Sequence, residues 1–367
     1  MKKIAVITLH AVKNYGSVLQ TYATQQVLKE LGYKVEIINY IREFNLDKNI
    51  ADKVTEKDHG LKKRVKQCVL IPTVYKWKKV FNSFLCENIN LSKKVYTYDD
   101  DFKKKPINAD IFCVGSDQVW NTEWNGGITR PLYLDFVHNV PKISFASSVG
   151  VDAFDNGDIK VIKSLLGEFN AISVRERSSI NTLQAIGLND IKYCLDPTLL
   201  ICEDEWMKFA GKSSLKPGYI LLCQLNHNSE FDQYAVNVAN RLGKKLVRMC
   251  MRYDQIRLPG NPIVIPKVKE YLQLIKNADL VLTDSFHAVA FSINLNRNFI
   301  AVYPEKFNSR IEDILQNCDL IDRHVLSFDS FEIIEKQIDY SVVNNKLDWL
   351  RRESLDNLKA MLNECLQ

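Results

Sequence analysis

The sequence predicts an α/β protein made of two doubly wound domains facing an interdomain cleft. Three observations lead there. Short β-branched runs alternate with helical spacings almost throughout the 367 residues, the pattern of parallel sheets joined by crossover helices. That length, at roughly 150 residues per domain, suggests about two hydrophobic cores. The alternation also restarts after Lys216-Pro217-Gly218, as expected where one sheet ends and another begins.

Residues 2–9 read as the first strand, apolar and ending at His10. From Ser17 to Leu31, Val18, Tyr22, Gln25, Val27, Leu28 and Leu31 fall near helical spacing, and Gly32 stops the helix. Residues 34–40 form the second strand. The stretch 41–108 is charged and largely basic, and it reads as a mostly helical insertion in the first half. Strands follow at 110–116 and 142–150, a helix near 157–169, a strand at 171–175, a helix, and a strand at 191–197. The second half runs strand 219–225, helix 230–242, strand 244–250, helix 266–277, strand 279–285, helix 286–296, strand 298–302 and a helix after Asn308. The expected domains are 1–205, 206–345 and a tail helix over 346–367. In that tail Leu347, Leu350, Leu358, Met361, Leu362 and Cys365 share one face, which must pack back on the body.

Composition excludes several classes. An apolar share of 46% and a charged share of 25% are those of a globular protein, not a collagenous or disordered one. No apolar run reaches the ~18 residues of a membrane span. The apolar stretch after Lys2 and Lys3 is short and lacks a small-residue cleavage site, so it reads as a strand and not as a signal peptide. Nine scattered cysteines, none in a C-x-x-C pair, point to a reducing cytoplasm without structural disulfides or a zinc site. No metal-ligand spacing and no nucleic-acid-binding signature is present.

Charge is unevenly placed. Between Leu61 and Leu85 stand Lys62, Lys63, Arg64, Lys66, Lys76, Lys78 and Lys79 with no acidic residue, mixed with Val69, Leu70, Ile71, Val74, Tyr75, Trp77, Val80 and Phe81. That mixture suits either a solvated helix pair or an anionic membrane surface. The second reading places the protein peripherally on the inner face of the membrane.

Four polar clusters fall at expected strand ends. Asn14-Tyr15-Gly16-Ser17 opens a helix and offers backbone N–H groups to an anion or a sugar hydroxyl, or simply a cap. Ser116-Asp117-Gln118-Val119-Trp120-Asn121 supplies a hydroxyl, a carboxylate, an amide and an indole, a set suited to carbohydrate, with Asp117 as a candidate general base. Arg175, directly after a strand, can fork onto a carboxylate or phosphate, or pair with Glu176. Thr283-Asp284-Ser285-Phe286-His287 ends an apolar strand, and His287 can act as a general acid near neutrality.

Taken together, NYGSVLQTYATQ, GSDQVWN, SFASSVG, ISVRER, LDPTLL and LVLTDSFHAVAFSINLNRNFIAV followed by NSRIEDIL resemble, in that order, the polysaccharide pyruvyl transferases. The resemblance runs from about residue 4 to residue 325. It implies a GT-B-like fold of two Rossmann-like domains. It also implies transfer of the pyruvyl group of phosphoenolpyruvate to two hydroxyls of a sugar, giving a cyclic ketal. The acceptor would be a glycan or lipid-linked oligosaccharide of a bacterial capsule, exopolysaccharide or surface polymer. Phosphoenolpyruvate is then a co-substrate and no further cofactor is implied. In this reading His287 and Asp117 are catalytic, and Arg175, Ser285, Phe286 and Arg310 bind the donor. Asn14, Tyr15, Gly16, Ser17, Ser116, Trp120 and Asn121 bind the acceptor. Better-described members carry Arg-Leu-His where this chain has Ser285-Phe286-His287, so Arg310 is the expected substitute for that arginine. Two other readings compete: a GT-B glycosyltransferase using a nucleotide sugar, and a non-catalytic glycan-assembly partner.

Overall fold

The structure, a computed structural model, describes residues 1–305 and 308–366. The chain forms two compact units, one of residues 1–43, 85–201 and 347–367, the other of residues 44–84 and 202–346. Gln367, the end of the expected tail, lies outside the described residues.

The first unit is built on seven parallel strands: β1 (Lys3–Ile7), β2 (Lys34–Tyr40), β3 (Leu91–Tyr96), β4 (Ile111–Val114), β5 (Lys142–Ser147), β6 (Ala171–Val174) and β7 (Ile191–Tyr193). Their order is β3-β2-β1-β4-β5-β6-β7. The central strands are continuous apolar runs because crossover helices cover both faces. Asn14 caps the first of these helices, Tyr15–Glu30. The second unit holds β8 (Tyr219–Cys223), β9 (Leu246–Cys250), β10 (Asn261–Val264), β11 (Ala278–Thr283) and β12 (Phe299–Ala301) in the order β10-β9-β8-β11-β12, again all parallel. Each unit has its own core, one around Ile7, Val114, Trp120 and Leu183, the other around Leu222, Phe231, Leu282 and Ile300.

The expected insertion 41–108 divides. Its later part supplies β3 and stays in the first unit, whereas residues 44–84 belong to the second. β3 escapes an apolar-run reading because it is an edge strand whose Lys93 and Lys94 face solvent, a charged edge that resists further pairing. β10 escapes it for a similar reason, since Pro262 is tolerated only at an edge. The Gly60–Trp77 helix joins the second unit through contacts that no local pattern announces. Trp77 Nε1 donates to the Met251 carbonyl at 2.8 Å, and Thr73 Oγ1 accepts from the Tyr253 N–H at 3.1 Å.

The tail helix starts earlier than expected and spans Tyr340–Glu364. From Leu347 onward it packs on the first unit. There Leu347, Leu350, Leu358, Met361 and Leu362 are buried. Ser354 Oγ accepts from the Leu195 N–H at 2.9 Å, and Arg351 Nε donates to the Leu199 carbonyl at 2.7 Å. Among the described residues, no helix is long and apolar enough to cross a membrane.

Candidate functional site

In each sheet the strand order reverses beside its first strand, between β1 and β4 and between β8 and β11. Open α/β sheets place ligands outside the carboxyl ends of strands at such reversals. Both places carry the polar clusters expected from the sequence.

In the first unit, Gly115 follows β4. A Cβ there would lie 3.1 Å from Thr8 Cβ and 3.3 Å from Val6 Cγ1, so glycine allows this close approach to β1. Asp117 then adopts a left-handed backbone, φ 81°. Aspartate tolerates this by bonding its own neighbourhood, and its Oδ1 accepts from the Gln118 N–H at 2.9 Å. Oδ2 accepts from Ser17 Oγ at 2.7 Å, and Arg175 Nη2 stands 3.7 Å from Oδ1. Arg175 Nε donates to Glu176 Oε1 at 2.7 Å, and Nη1 donates to Asp196 Oδ2 at 2.7 Å. Ser116 Oγ donates to the same Asp196 oxygen at 2.9 Å, while Asp196 Oδ1 accepts from Thr198.

One fully buried guanidinium thus meets three carboxyl side chains. Burial works against the charge on Arg175, yet Glu176, Asp196 and Asp117 outweigh it and hold the group above its ordinary range. An anion approaching this arginine meets the field of those carboxylates as well as that of the guanidinium. In this arrangement Arg175 ties β6 to the ends of β4 and β7.

The acceptor-side expectations also change. Trp120 is fully buried, packs with Tyr133 and donates from Nε1 to the Leu132 carbonyl at 3.0 Å, so it offers no ring face to a sugar. Asn121 is fully buried and caps the Thr122–Asn125 helix by accepting from the Trp124 N–H at 2.8 Å. Asn14 Oδ1 takes the Gly16 N–H at 2.8 Å, and Tyr15 is buried. Ser116 is buried against Asp196. Trp120 and Asn121 therefore serve the scaffold, and Asn14 and Ser116 also hold the turns that follow β1 and β4. Ser17 remains beside Asp117, where the sequence placed both near a sugar hydroxyl.

Three residues beside this cluster were missed. Trp124, the second tryptophan after the β4 turn, is 39% exposed, with the Arg42 guanidinium 4.7 Å from its ring centroid. Its signal was present in the sequence, four residues beyond Trp120. Burial lowers the Arg42 pKa to about 10. His10 sits with Nε2 3.2 Å from Asn39 Oδ1, and burial lowers its pKa to about 4.

The second unit differs. Thr283 Oγ1 donates to the Cys223 carbonyl at 2.7 Å and accepts from the Ser285 N–H at 3.0 Å, joining the ends of β11 and β8. Asp284 accepts from the Leu225 N–H at 2.6 Å, and from the Asn226 N–H and Nδ2 at 2.8 and 3.0 Å. Desolvation raises its pKa despite these bonds. Ser285 caps the Phe286–Asn294 helix, its Oγ accepting from the Ala288 N–H. The His287 and Phe286 rings stand edge to face, centroids 5.0 Å apart. Arg310, in the first turn of the Ser309–Asn317 helix, holds its guanidinium 6.0 Å from the Phe286 centroid. The structure therefore brings Ser285, Phe286, His287 and Arg310 together. An arginine, an imidazole and a helix amino end suit an anion bearing oxygens.

Solved structures resemble the whole chain. UDP-GlcNAc 2-epimerase from Methanocaldococcus jannaschii, in complex with UDP-GlcNAc and UDP, is 14% identical, covers 99% of each chain and has a TM-score of 0.52. MnaA of S. aureus in a co-structure with UDP is 12% identical over 96% of this chain and 91% of its own, at 0.51. Arabidopsis thaliana UGT89C1 complexed with UDP-L-rhamnose is 9% identical over 99% of each chain, at 0.55. At these identities the likeness establishes the fold, which is GT-B-like with two parallel sheets in an α/β arrangement. None of the curated proteins compared matches the chain. The profile of one family spans residues 14–306, from the cap of the first helix past β12, and by that match the chain belongs to the polysaccharide pyruvyl transferase family.

Proposed function

We propose that the protein moves the pyruvyl group of phosphoenolpyruvate onto two hydroxyls of a sugar in a bacterial surface or exopolysaccharide precursor, closing a cyclic ketal. The observation that carries this reading is the grouping of His287 and Arg310 around Phe286 at the carboxyl end of β11. Phosphoenolpyruvate holds a carboxylate and a phosphate in a small volume, and an arginine, an imidazole and a helix amino end supply donors for both. Arg310 and the amino end of the Phe286–Asn294 helix are assigned to its anionic groups, in place of the family arginine that Ser285 replaces.

The chemistry balances on these groups. Protonation of the enol carbon by His287 makes a methyl group and an electrophilic C2. One sugar hydroxyl adds there and gives up its proton to a general base. Departure of phosphate with the C2–O bond electrons regenerates the electrophile, and the second hydroxyl closes the ketal. Of the two hydroxyl protons, one ends in the methyl group and one on phosphate. The acceptor in this reading is lipid-linked and met at the inner membrane face.

The test is a thermal-shift titration with phosphoenolpyruvate beside nucleotide sugars, on wild type and Arg310→Ala, since a ligand that binds only the native state raises its midpoint. A shift with phosphoenolpyruvate alone, lost in the variant, is the expected result. A shift with a nucleotide sugar alone would replace this reading with a glycosyltransferase.

A further inference from the structure

The Gly60–Trp77 helix carries apolar residues on two opposite faces. Leu70, Thr73 and Trp77 are buried against the second unit. The outer face is no less apolar: Leu61 is 77% exposed, Ile71 64% and Tyr75 70%, with Val65, Val69, Cys68 and Pro72 exposed among them. At about 100° per residue these seven side chains fill an arc of roughly 160°. A helix that serves only as a solvated face places its charges outward and its apolar side inward. This one places apolar side chains on both.

The cations are distributed in a telling way. Lys62 and Lys66 pair with Asp58, and Lys63 pairs with Asp52. Arg64 and Lys76 lie within the outer arc itself, Lys79 follows one turn beyond, and among the described residues no carboxylate pairs with any of the three. Nearby, Ile256 is exposed on the 3₁₀ turn Tyr253–Arg257 that packs against the helix. Long basic side chains can lay their stems along apolar neighbours while their heads reach outward.

We propose that this outer face is a docking surface for an anionic lipid bilayer, with Leu61, Val65, Ile71 and Tyr75 entering the headgroup–acyl boundary and Arg64, Lys76 and Lys79 meeting lipid phosphates. An apolar stripe interleaved with unpaired cations is complementary to that interface. A second copy of the chain fits less well, because a symmetric contact would bring two sets of like charges into one interface with no added carboxylates to answer them. The inference rests on the proposed function only for its purpose, delivery of a lipid-linked acceptor.

The experiment is vesicle flotation of the full chain, without donor or acceptor, on phosphatidylcholine alone and on phosphatidylcholine with about one third phosphatidylglycerol. Wild type is expected to float with the anionic vesicles only, and less at raised salt. Each cation near the surface is worth roughly a fivefold change in partition, so Arg64→Glu with Lys76→Glu should reduce binding at least tenfold. Ile71→Asp with Tyr75→Asp should abolish it at an unchanged melting midpoint, with phosphate release on a soluble acceptor also unchanged. If the Asp pair unfolds the helix, Ile71→Ser with Tyr75→Ser serves the same comparison. No flotation, equal flotation on both vesicles, or wild-type binding by either charge or apolar variant would overturn the proposal. So would concentration-dependent dimerisation that the Ile71 and Tyr75 variants remove, which would make the face an interface between copies. Because no catalysis is read in the flotation, its failure is distinct from failure of the pyruvyl transfer reading.

Discussion

Asp117 and Asp284 stand at equivalent places, each just beyond the central strand at the reversal point of its sheet. Their surroundings make them different objects. In the first unit Arg175 is enclosed by Asp117, Glu176 and Asp196, all buried. In the second, Asp284 spends its oxygens on the Leu225 and Asn226 backbone, and the His287 imidazole and the Arg310 guanidinium stand beside the Phe286 ring. The lesson is that an arginine at a strand end is not by itself an anion site. The balance of charge around it decides how strongly it draws an incoming phosphate, because nearby carboxylates repel the anion that the guanidinium attracts.

The sharpest way to break this comparison is to remove one side chain from each cluster. His287→Gln is expected to lower phosphate release by roughly 10²–10⁴-fold, the range for a lost general acid, with little change in the unfolding midpoint. Arg175→Ala should do the reverse in kind. It strands buried carboxylates, a loss of about 3–5 kcal/mol of stability by urea unfolding, and Arg175→Lys should restore little because a point charge cannot fork between Glu176 and Asp196. If Arg175→Ala unfolds like wild type yet no longer responds to phosphoenolpyruvate, the two clusters have been assigned the wrong way round.

Sequence reading found both clusters, and its failures have a physical pattern. Strand ends were legible because parallel strands are continuous apolar runs and the polar residues that follow them stand out, as Gly115-Ser116-Asp117 and Thr283-Asp284-Ser285 do. Ser285, Phe286 and His287 stand together on that basis, whereas Arg310 joins them only through the family motif. Burial was not legible. Trp120 and Asn121 look like a sugar platform in one dimension, yet the left-handed turn at Asp117 sends the chain inward, and both vanish into the core. Nor was the partner of the basic helix legible, since Trp77 and Met251 are far apart in sequence and meet only in the folded unit.

A gentler probe of the first cluster's surroundings is pH. His10 is held neutral, its pKa lowered to about 4 by burial. Between that value and the ordinary value of about 6.5, the unfolded chain binds a proton that the native state refuses. Stability therefore falls as pH drops through this window, by about 2 kcal/mol at pH 5 from this one group. Urea unfolding at pH 7 and pH 5 should show that slope in wild type and a flatter one in His10→Asn, whatever the variant's absolute stability. An unchanged slope would mean that His10 takes up its proton in the folded state.

The smallest expected effect separates the two tryptophans of the β4 turn. Trp120→Ala opens a cavity in a packed core and should cost about 3–5 kcal/mol. Trp124 is 39% exposed and its defined contact is the Arg42 guanidinium over its ring, an interaction of about 0.5–1 kcal/mol at such sites. Trp124→Ala should then cost about 1 kcal/mol, and Trp124→Phe less, since a phenyl ring keeps part of the cation–π attraction. The pair also tests how the turn is built. Asn121 holds the Trp124 N–H through its side chain, a bond that does not depend on the indole, so the turn should survive loss of the ring. Equal unfolding free energies for Trp120→Ala and Trp124→Ala would contradict the burial of Trp120, and with it the reason for removing that residue from the acceptor side.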